Sequence, residues 1–160
     1  MTQSPTRKRL IFVGALALLL AVVAAAFVPG VDLRYRFLEA LAGSNYRDYD
    51  PLIEALAAKH GIGPELVKAV VWQESRFNPL ATGAAGERGL MQVTEIAAKD
   101  WVAANQIEIF SPADLFDPKT NLEAGVWYLS RALRRYSDRD DPRPFALAEY
   151  NAGKSRVNRW

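Results

Sequence analysis

The chain has 160 residues, half of them hydrophobic, with a formal net charge of +2, one histidine and no cysteine. This size allows one domain plus a short appendage. The lack of cysteine excludes disulfides, cysteine-type metal sites and the lipid-attachment site of a lipoprotein. The single histidine, His60, has no partner histidine, so we predict no metal, no cofactor and no Ser-His-Asp triad.

The first 28 residues predict a targeting or anchoring segment. Arg7, Lys8 and Arg9 precede an uncharged run of 19 residues, Leu10 to Val28. As a helix this run would be roughly 28 Å long, close to the hydrocarbon thickness of a bilayer. The basic cluster ahead of it predicts that everything after the run crosses the membrane, into the periplasm or cell envelope. The length favours an uncleaved anchor in the inner membrane, whereas the small residues at 24–26 favour a cleaved signal peptide, and both alternatives stay open.

Beyond this segment the charges balance. Without the three basic residues of the N-terminal cluster, 17 basic side chains stand against 18 acidic ones, a charge of −1. Nothing in this balance argues for a nucleic-acid partner. We predict a juxtamembrane linker at 29–49 and one folded domain at 50–160.

The domain is predicted to be α-helical, because no stretch alternates between apolar and polar residues with the period of a strand. Asp50 is expected to cap the first helix and Gly61 to end it. Gly63 and Pro64 are typical of the start of the second helix, which must end before Pro79. Further helices are predicted at 90–101, 117–136, 144–151 and from about 155.

The second of these helices carries a glutamate in an unusual place. Val67, Val70, Val71 and Glu74 are spaced so that they share one helix face. Glu74 therefore continues an apolar stripe, and burial would raise its pKa towards the range of a general acid. The spacing alone leaves open whether Glu74 turns out to solvent at the helix end.

Three short motifs follow in order along the chain: Glu74-Ser75, Gly89-Leu90-Met91-Gln92 and Tyr150-Asn151-Ala152-Gly153. Together with the segment from Asp117-Pro118 to Tyr128-Leu129, they resemble the catalytic domain of lytic transglycosylases of the soluble-transglycosylase type. Each motif alone is weak, but three in register are specific. The resemblance covers about 50–160 and implies a lysozyme-like fold of the goose type.

The resemblance implies cleavage of the β-1,4 bond between N-acetylmuramic acid and N-acetylglucosamine in peptidoglycan, with formation of a 1,6-anhydromuramic acid end. Glu74 would be the catalytic acid and then base, and an intramolecular hydroxyl would replace the second carboxylate of ordinary glycosidases. Ser75 would hydrogen-bond near Glu74 or the sugar. The other implied substrate-binding residues are Gly89, Met91, Gln92, Tyr150 and Asn151.

Some features depart from the family pattern. Glu87-Arg88 puts charge into a glycine loop that is often small and apolar. The sequence stops at Trp160, where domains of the family usually continue through one more helix, so it is expected to be either a fragment or a shortened version of the domain. A lysozyme-type hydrolase and a non-catalytic peptidoglycan-binding protein remain alternatives, the first disfavoured because no well-placed second acid is evident. Glu149 is expected at an exposed helix position. Beyond glycan strands and the membrane, a partner in an envelope machinery stays open.

Overall fold

The computed structural model describes residues 46–157 and 159, which all belong to the unit Ser44–Trp160. The predicted segment at 1–28 and most of the predicted linker lie outside the described residues. No helix in the described part is long and apolar enough to cross a membrane. Tyr46 is buried against the rings of Trp72 and Phe77, so the packed unit includes residues ahead of Asp50.

Helices account for the regular structure of the described part. They are α1 Asp50–His60, α2 Pro64–Ser75, α3 Glu95–Ala104, a 3-10 helix at Pro112–Phe116, α4 Pro118–Arg135, α5 Arg143–Ala152 and α6 Lys154–Val157. Between α2 and α3 the chain makes two isolated bridges, Thr82 to Arg88 and Arg88 to Val93, and no strand occurs in the described range. The prediction of a helical domain is confirmed for these residues.

The helix boundaries follow from local chemistry. Gly63 caps α2 with Pro64 at its first position, as predicted. Asp117 begins α4 by accepting a hydrogen bond from the Thr120 amide at 2.8 Å. The prediction for Asp50 was wrong in detail: it is the first residue of α1, and its side chain forms an ion pair with Lys68 of α2 at 2.6 Å instead of capping the helix.

Helix α4 is the centre of the domain, because it contacts α1, α3, α5 and the 3-10 helix. Leu122, Val126 and Leu129 on its buried faces are fully inaccessible to solvent. A helix surrounded on several sides can bring polar groups inward only if they find partners. Asn121, near its start, is such a buried polar residue, and its partners belong to the candidate site.

The predicted helix beginning at Leu90 was wrong in its start. Residues 89–92 form a turn, and α3 begins at Glu95, five residues after the predicted start. Gln92 has φ +48°, which an α-helix cannot contain, and the Thr94 side chain caps α3 by accepting from the Ala97 amide at 3.1 Å. Met91 and Gln92 therefore lie in an irregular loop, outside any helix.

The expected exposure of Glu149 was also wrong, since only 2% of this residue is accessible. Its carboxylate pairs with the Arg135 guanidinium and accepts a hydrogen bond from the Tyr136 hydroxyl at 3.0 Å. Burial of a carboxylate requires such partners. They join α5 to the end of α4 and so fix the helix that carries Tyr150.

Candidate active site

Glu74 lies in the last turn of α2, where the chain leaves the helix abruptly. Arg76 and Phe77, which follow the last residue of α2, have φ of +54° and +62°. Left-handed backbone costs a residue with a side chain about 1–2 kcal/mol. Arg76 and Phe77 together therefore cost about 2–4 kcal/mol. The fully buried Phe77 ring, 4.9 Å from the ring of Tyr46, offsets much of this cost by contributing about 2–3 kcal/mol. The sharp exit leaves Glu74 half-buried at the end of the helix.

The dipeptide Leu90–Met91 joins three helices through its main chain. The Ser75 hydroxyl at the end of α2 donates to the Leu90 carbonyl at 2.7 Å. The Tyr150 hydroxyl of α5 donates to the Met91 carbonyl at 2.7 Å. The Met91 amide donates to Asn121 Oδ1 of α4 at 2.8 Å. The second motif is thus held between the first and the third.

Gly89 and Met91 pack behind this dipeptide. Gly89 has φ +75°, and a Cβ there would collide with the Asn121 side chain and the Leu115 carbonyl, so only glycine fits. The Met91 side chain is fully buried against Gly125 of α4. Ser75 is also buried, with its hydroxyl bound to main-chain carbonyls. The predicted contact of these three residues with substrate stays a prediction.

A cavity of about 270 Å³ lies beside Glu74. It is lined by Glu74, Gly83, Ala84, Glu87, Gln92, Thr94, Tyr150 and Asn151. A second cavity of about 170 Å³ shares four of these residues and extends to Ala97, Tyr128 and Gly153. The two cavities form one cleft, and four predicted site residues line it: Glu74, Gln92, Tyr150 and Asn151.

The polar side chains of the cleft are oriented by the fold. Gln92 Nε2 donates to the carbonyls of Ala81 and Gly89 at 3.1 and 3.0 Å, which leaves Oε1 available as an acceptor. Asn151, which is exposed, donates to the Leu147 carbonyl at 2.9 Å and likewise keeps an oxygen available. The Tyr150 ring packs edge-on against Tyr128, with ring centroids 5.8 Å apart. The cleft beside Glu74 therefore offers two amide oxygens, of Gln92 and Asn151, as hydrogen-bond acceptors.

The electrostatics of the cleft favour protonated groups. Burial raises the pKa of Glu74, and the nearby carboxylate of Glu87 raises it further. Burial, together with the negative charge of Glu74, also raises the pKa of the Tyr150 hydroxyl, which stays neutral and can donate to Met91. A carboxyl group that keeps its proton towards neutral pH is suited to general acid catalysis.

Three residues of the site were not predicted for their roles. Asn121 holds the loop through the Met91 amide, and its Nδ2 donates to the carbonyls of Arg88 and Leu115 at 2.7 and 2.8 Å. Gly125 makes room for Met91. Glu87 puts a second carboxylate into the cavity of Glu74, contrary to the expectation that no second acid was well placed. The only sequence signal for Glu87 was its charge within a glycine loop.

Comparison with known proteins identifies the domain. A family model described as the transglycosylase SLT domain matches residues 51–160. The membrane-bound lytic murein transglycosylase F of Desulfosudis oleivorans is 39% identical over 112 residues, which cover 68% of this chain and 23% of that protein.

Two solved structures are similar as well. The 70 kDa soluble lytic transglycosylase of Escherichia coli has a TM-score of 0.64 at 33% identity, covering 70% of this chain and 18% of that one. The lytic transglycosylase Slt of Pseudomonas aeruginosa, solved as an inactive glutamate-to-glutamine mutant, has a TM-score of 0.62 at 30% identity, covering 68% and 17%. The chain spans about a fifth of the length of these relatives. The resemblance carried by the three motifs is confirmed, and the chain belongs to the transglycosylase SLT domain family.

Proposed function

We propose that this chain is a lytic transglycosylase that cleaves the β-1,4 bond between N-acetylmuramic acid and N-acetylglucosamine in peptidoglycan, leaving a 1,6-anhydromuramic acid end. The observation that carries the proposal is the half-buried Glu74, with its raised pKa, in the cleft where the three family motifs meet. Family membership supports the same reaction. The inactive glutamate-to-glutamine mutant of the Pseudomonas aeruginosa relative supports dependence on one glutamate.

The chemistry requires Glu74 in two protonation states. Protonated Glu74 donates its proton to the glycosidic oxygen while the bond from that oxygen to C1 of the muramic acid breaks. The resulting carboxylate accepts the proton of the C6 hydroxyl of the same sugar, and the C6 oxygen bonds to C1. Glu74 ends the cycle protonated, and no water is consumed. A raised pKa supports the first step, because it keeps the acid form populated at higher pH.

The remaining site residues divide into two groups under this proposal. Gln92, Tyr150 and Asn151 line the cleft and would contact the glycan strand. The second group, formed by Ser75, Gly89 and Met91, would act from behind the wall by holding the loop in position. Three observations support the second assignment. The Ser75 hydroxyl donates to the Leu90 carbonyl, the Gly89 amide donates to the Ala81 carbonyl, and the Met91 side chain is fully buried.

The site of action would be the cell envelope, in the periplasm. Peptidoglycan lies outside the cytoplasmic membrane, and the uncharged run at 10–28 would act either as an anchor or as a cleaved signal. N-terminal sequencing of the mature chain distinguishes the two, because an anchor keeps the basic cluster at 7–9, whereas cleavage of a signal removes it.

The test is mass spectrometry of the muropeptides released from purified peptidoglycan by the full chain and by Glu74→Gln. Loss of the carboxyl proton donor should reduce release at least about 1,000-fold, since the same group is used in both steps. Glu65→Gln, an exposed change on the same helix, is the matched control and should retain release. Unchanged turnover in Glu74→Gln would refute the assignment of the catalytic residue.

A hydrolytic reaction is the second candidate, because Glu87 gives the cavity a second carboxylate that could orient water. The products separate the two reactions. Transglycosylation yields anhydro ends, whereas hydrolysis yields reducing ends and incorporates oxygen from labelled water.

A further inference from the structure

Glu87 makes two hydrogen bonds within the loop between α2 and α3. Its main-chain carbonyl accepts a hydrogen bond from the Gly83 amide at 2.8 Å. Its side-chain Oε2 accepts one from the Ala85 amide at 3.0 Å and lies against Gly83, where a Cβ would displace it. The carboxylate of Glu87 is therefore fixed in place by the backbone of its own loop.

Glu87 and Glu74 line the same cavity from two different segments of the chain. All other residues that line it are uncharged: Gly83, Ala84, Gln92, Thr94, Tyr150 and Asn151. No lysine, arginine or histidine of the described residues lines this cavity. The two carboxylates therefore interact without a cation between them, and like charges at such a site oppose the ionisation of one another.

The cations nearest in sequence to the two carboxylates are engaged elsewhere. The Arg76 guanidinium lies over the Trp72 ring, 4.3 Å from its centroid. Arg88 Nη1 donates to the Pro112 carbonyl, next to the 3-10 helix, at 3.4 Å. On the α5 side, the charge of Glu149 is paired with Arg135 in the interior.

Two tyrosines complete the surroundings of the cleft. Tyr150 from α5 and Tyr128 from α4 both have a raised pKa, with burial as the largest cause, so their hydroxyls carry no charge near neutral pH. Among the described groups, Glu87 is thus the charge that acts on Glu74. Its effect on the pKa of Glu74 adds to the larger effect of burial.

We propose that Glu87 is a positioning residue that acts through Glu74 and sets the upper pH limit of the reaction. The proposal rests on the proposed function, because it concerns the proton that Glu74 donates. While Glu87 is ionised, Glu74 keeps its proton to higher pH. Without the charge of Glu87, Glu74 loses its proton at lower pH, and the proton donation to the glycosidic oxygen stops at a lower pH than in the wild type.

The test compares wild type with Glu87→Gln. A glutamine oxygen can still accept from the Ala85 amide, so the loop is preserved and only the charge is removed. The initial rate of anhydromuropeptide release is measured across pH at low substrate concentration. The alkaline limb should move to lower pH, while rates on the acidic side stay equal to wild type. Glu54→Gln, an exposed change of the same charge on α1, controls for net charge and should leave the limb in place.

A second measurement keeps the question separate from activity. The side-chain carboxyl carbon of Glu74 is titrated by NMR in the free wild-type chain and in Glu87→Gln, with a lower midpoint expected in the variant. Equal midpoints, or an alkaline limb that does not move, would overturn the proposal. A rate that falls equally at every pH would also overturn it, because Glu87 would then take part directly. A wild-type chain with no anhydro product would refute the proposed function, and the titration would still decide the coupling.

Discussion

Asn121 provides the sharpest test of how the site is held together. Its side chain makes three hydrogen bonds of 2.7–2.8 Å, to the Met91 amide and to the carbonyls of Arg88 and Leu115. Each bond contributes about 1 kcal/mol, and stranding a buried amide or carbonyl adds about 1–3 kcal/mol. Asn121→Ala should therefore lower the free energy of unfolding by about 4–6 kcal/mol, a large part of the total of about 5–15 kcal/mol for a domain.

The assay is urea denaturation, in which the midpoint falls while the slope stays constant. Asn105→Ala is the matched control, since Asn105 is exposed at the end of α3 and donates to one carbonyl, that of Trp101, at 2.8 Å. Its cost should stay below about 1 kcal/mol, because water replaces an exposed partner. An equal loss of unfolding free energy in the two variants would show that the buried hydrogen bonds of Asn121 do not stabilise the loop.

Two further changes act on the same loop from other helices. Tyr150→Phe removes the hydrogen bond to the Met91 carbonyl and should lower kcat/KM about 10-fold, equivalent to about 1.4 kcal/mol, with the helix content unchanged by circular dichroism. A wild-type rate would rule out a role for the hydroxyl. Gly125→Ala gains about 1 kcal/mol of helix propensity but drives a Cβ into the buried Met91 side chain, an overpacking that costs about 1–3 kcal/mol. We expect Gly125→Ala to lower both the stability, measured by thermal unfolding, and the activity, measured by product release. The double variant Gly125→Ala/Met91→Val, with a shorter side chain at position 91, should recover part of both. A Gly125→Ala variant that is more stable than wild type would contradict the tight contact.

Local signals predicted the helices well because their causes are local. Gly63 and Pro64 start α2, Asp117 starts α4, and Val67, Val70 and Val71 are buried on the face that the spacing indicated. The predicted helix from Leu90 failed for the opposite reason. Its apolar residues fit a helix, but tertiary hydrogen bonds from α2, α4 and α5 hold the turn instead.

The candidate site shows the same division. The motifs identified Glu74, Gln92, Tyr150 and Asn151, which line the cleft, but not the partners of their neighbours. Whether a serine hydroxyl meets sugar or a carbonyl depends on a residue 15 positions away, and the burial of Glu149 depends on Arg135, 14 positions away on another helix. The spacing of residues within one helix cannot predict either of these contacts, because each partner lies outside that helix.

The joining of three helices at Leu90–Met91 also bears on how the domain folds. The three contacts close loops of 15, 30 and 59 residues, measured between donor and acceptor positions. Closing such loops costs chain entropy before any contact rewards it, so the turn has no means of forming in a short isolated fragment. The geometry around the Leu90–Met91 turn therefore forms together with the packing of α2, α4 and α5, and a chain in which these helices are not yet packed lacks the cleft.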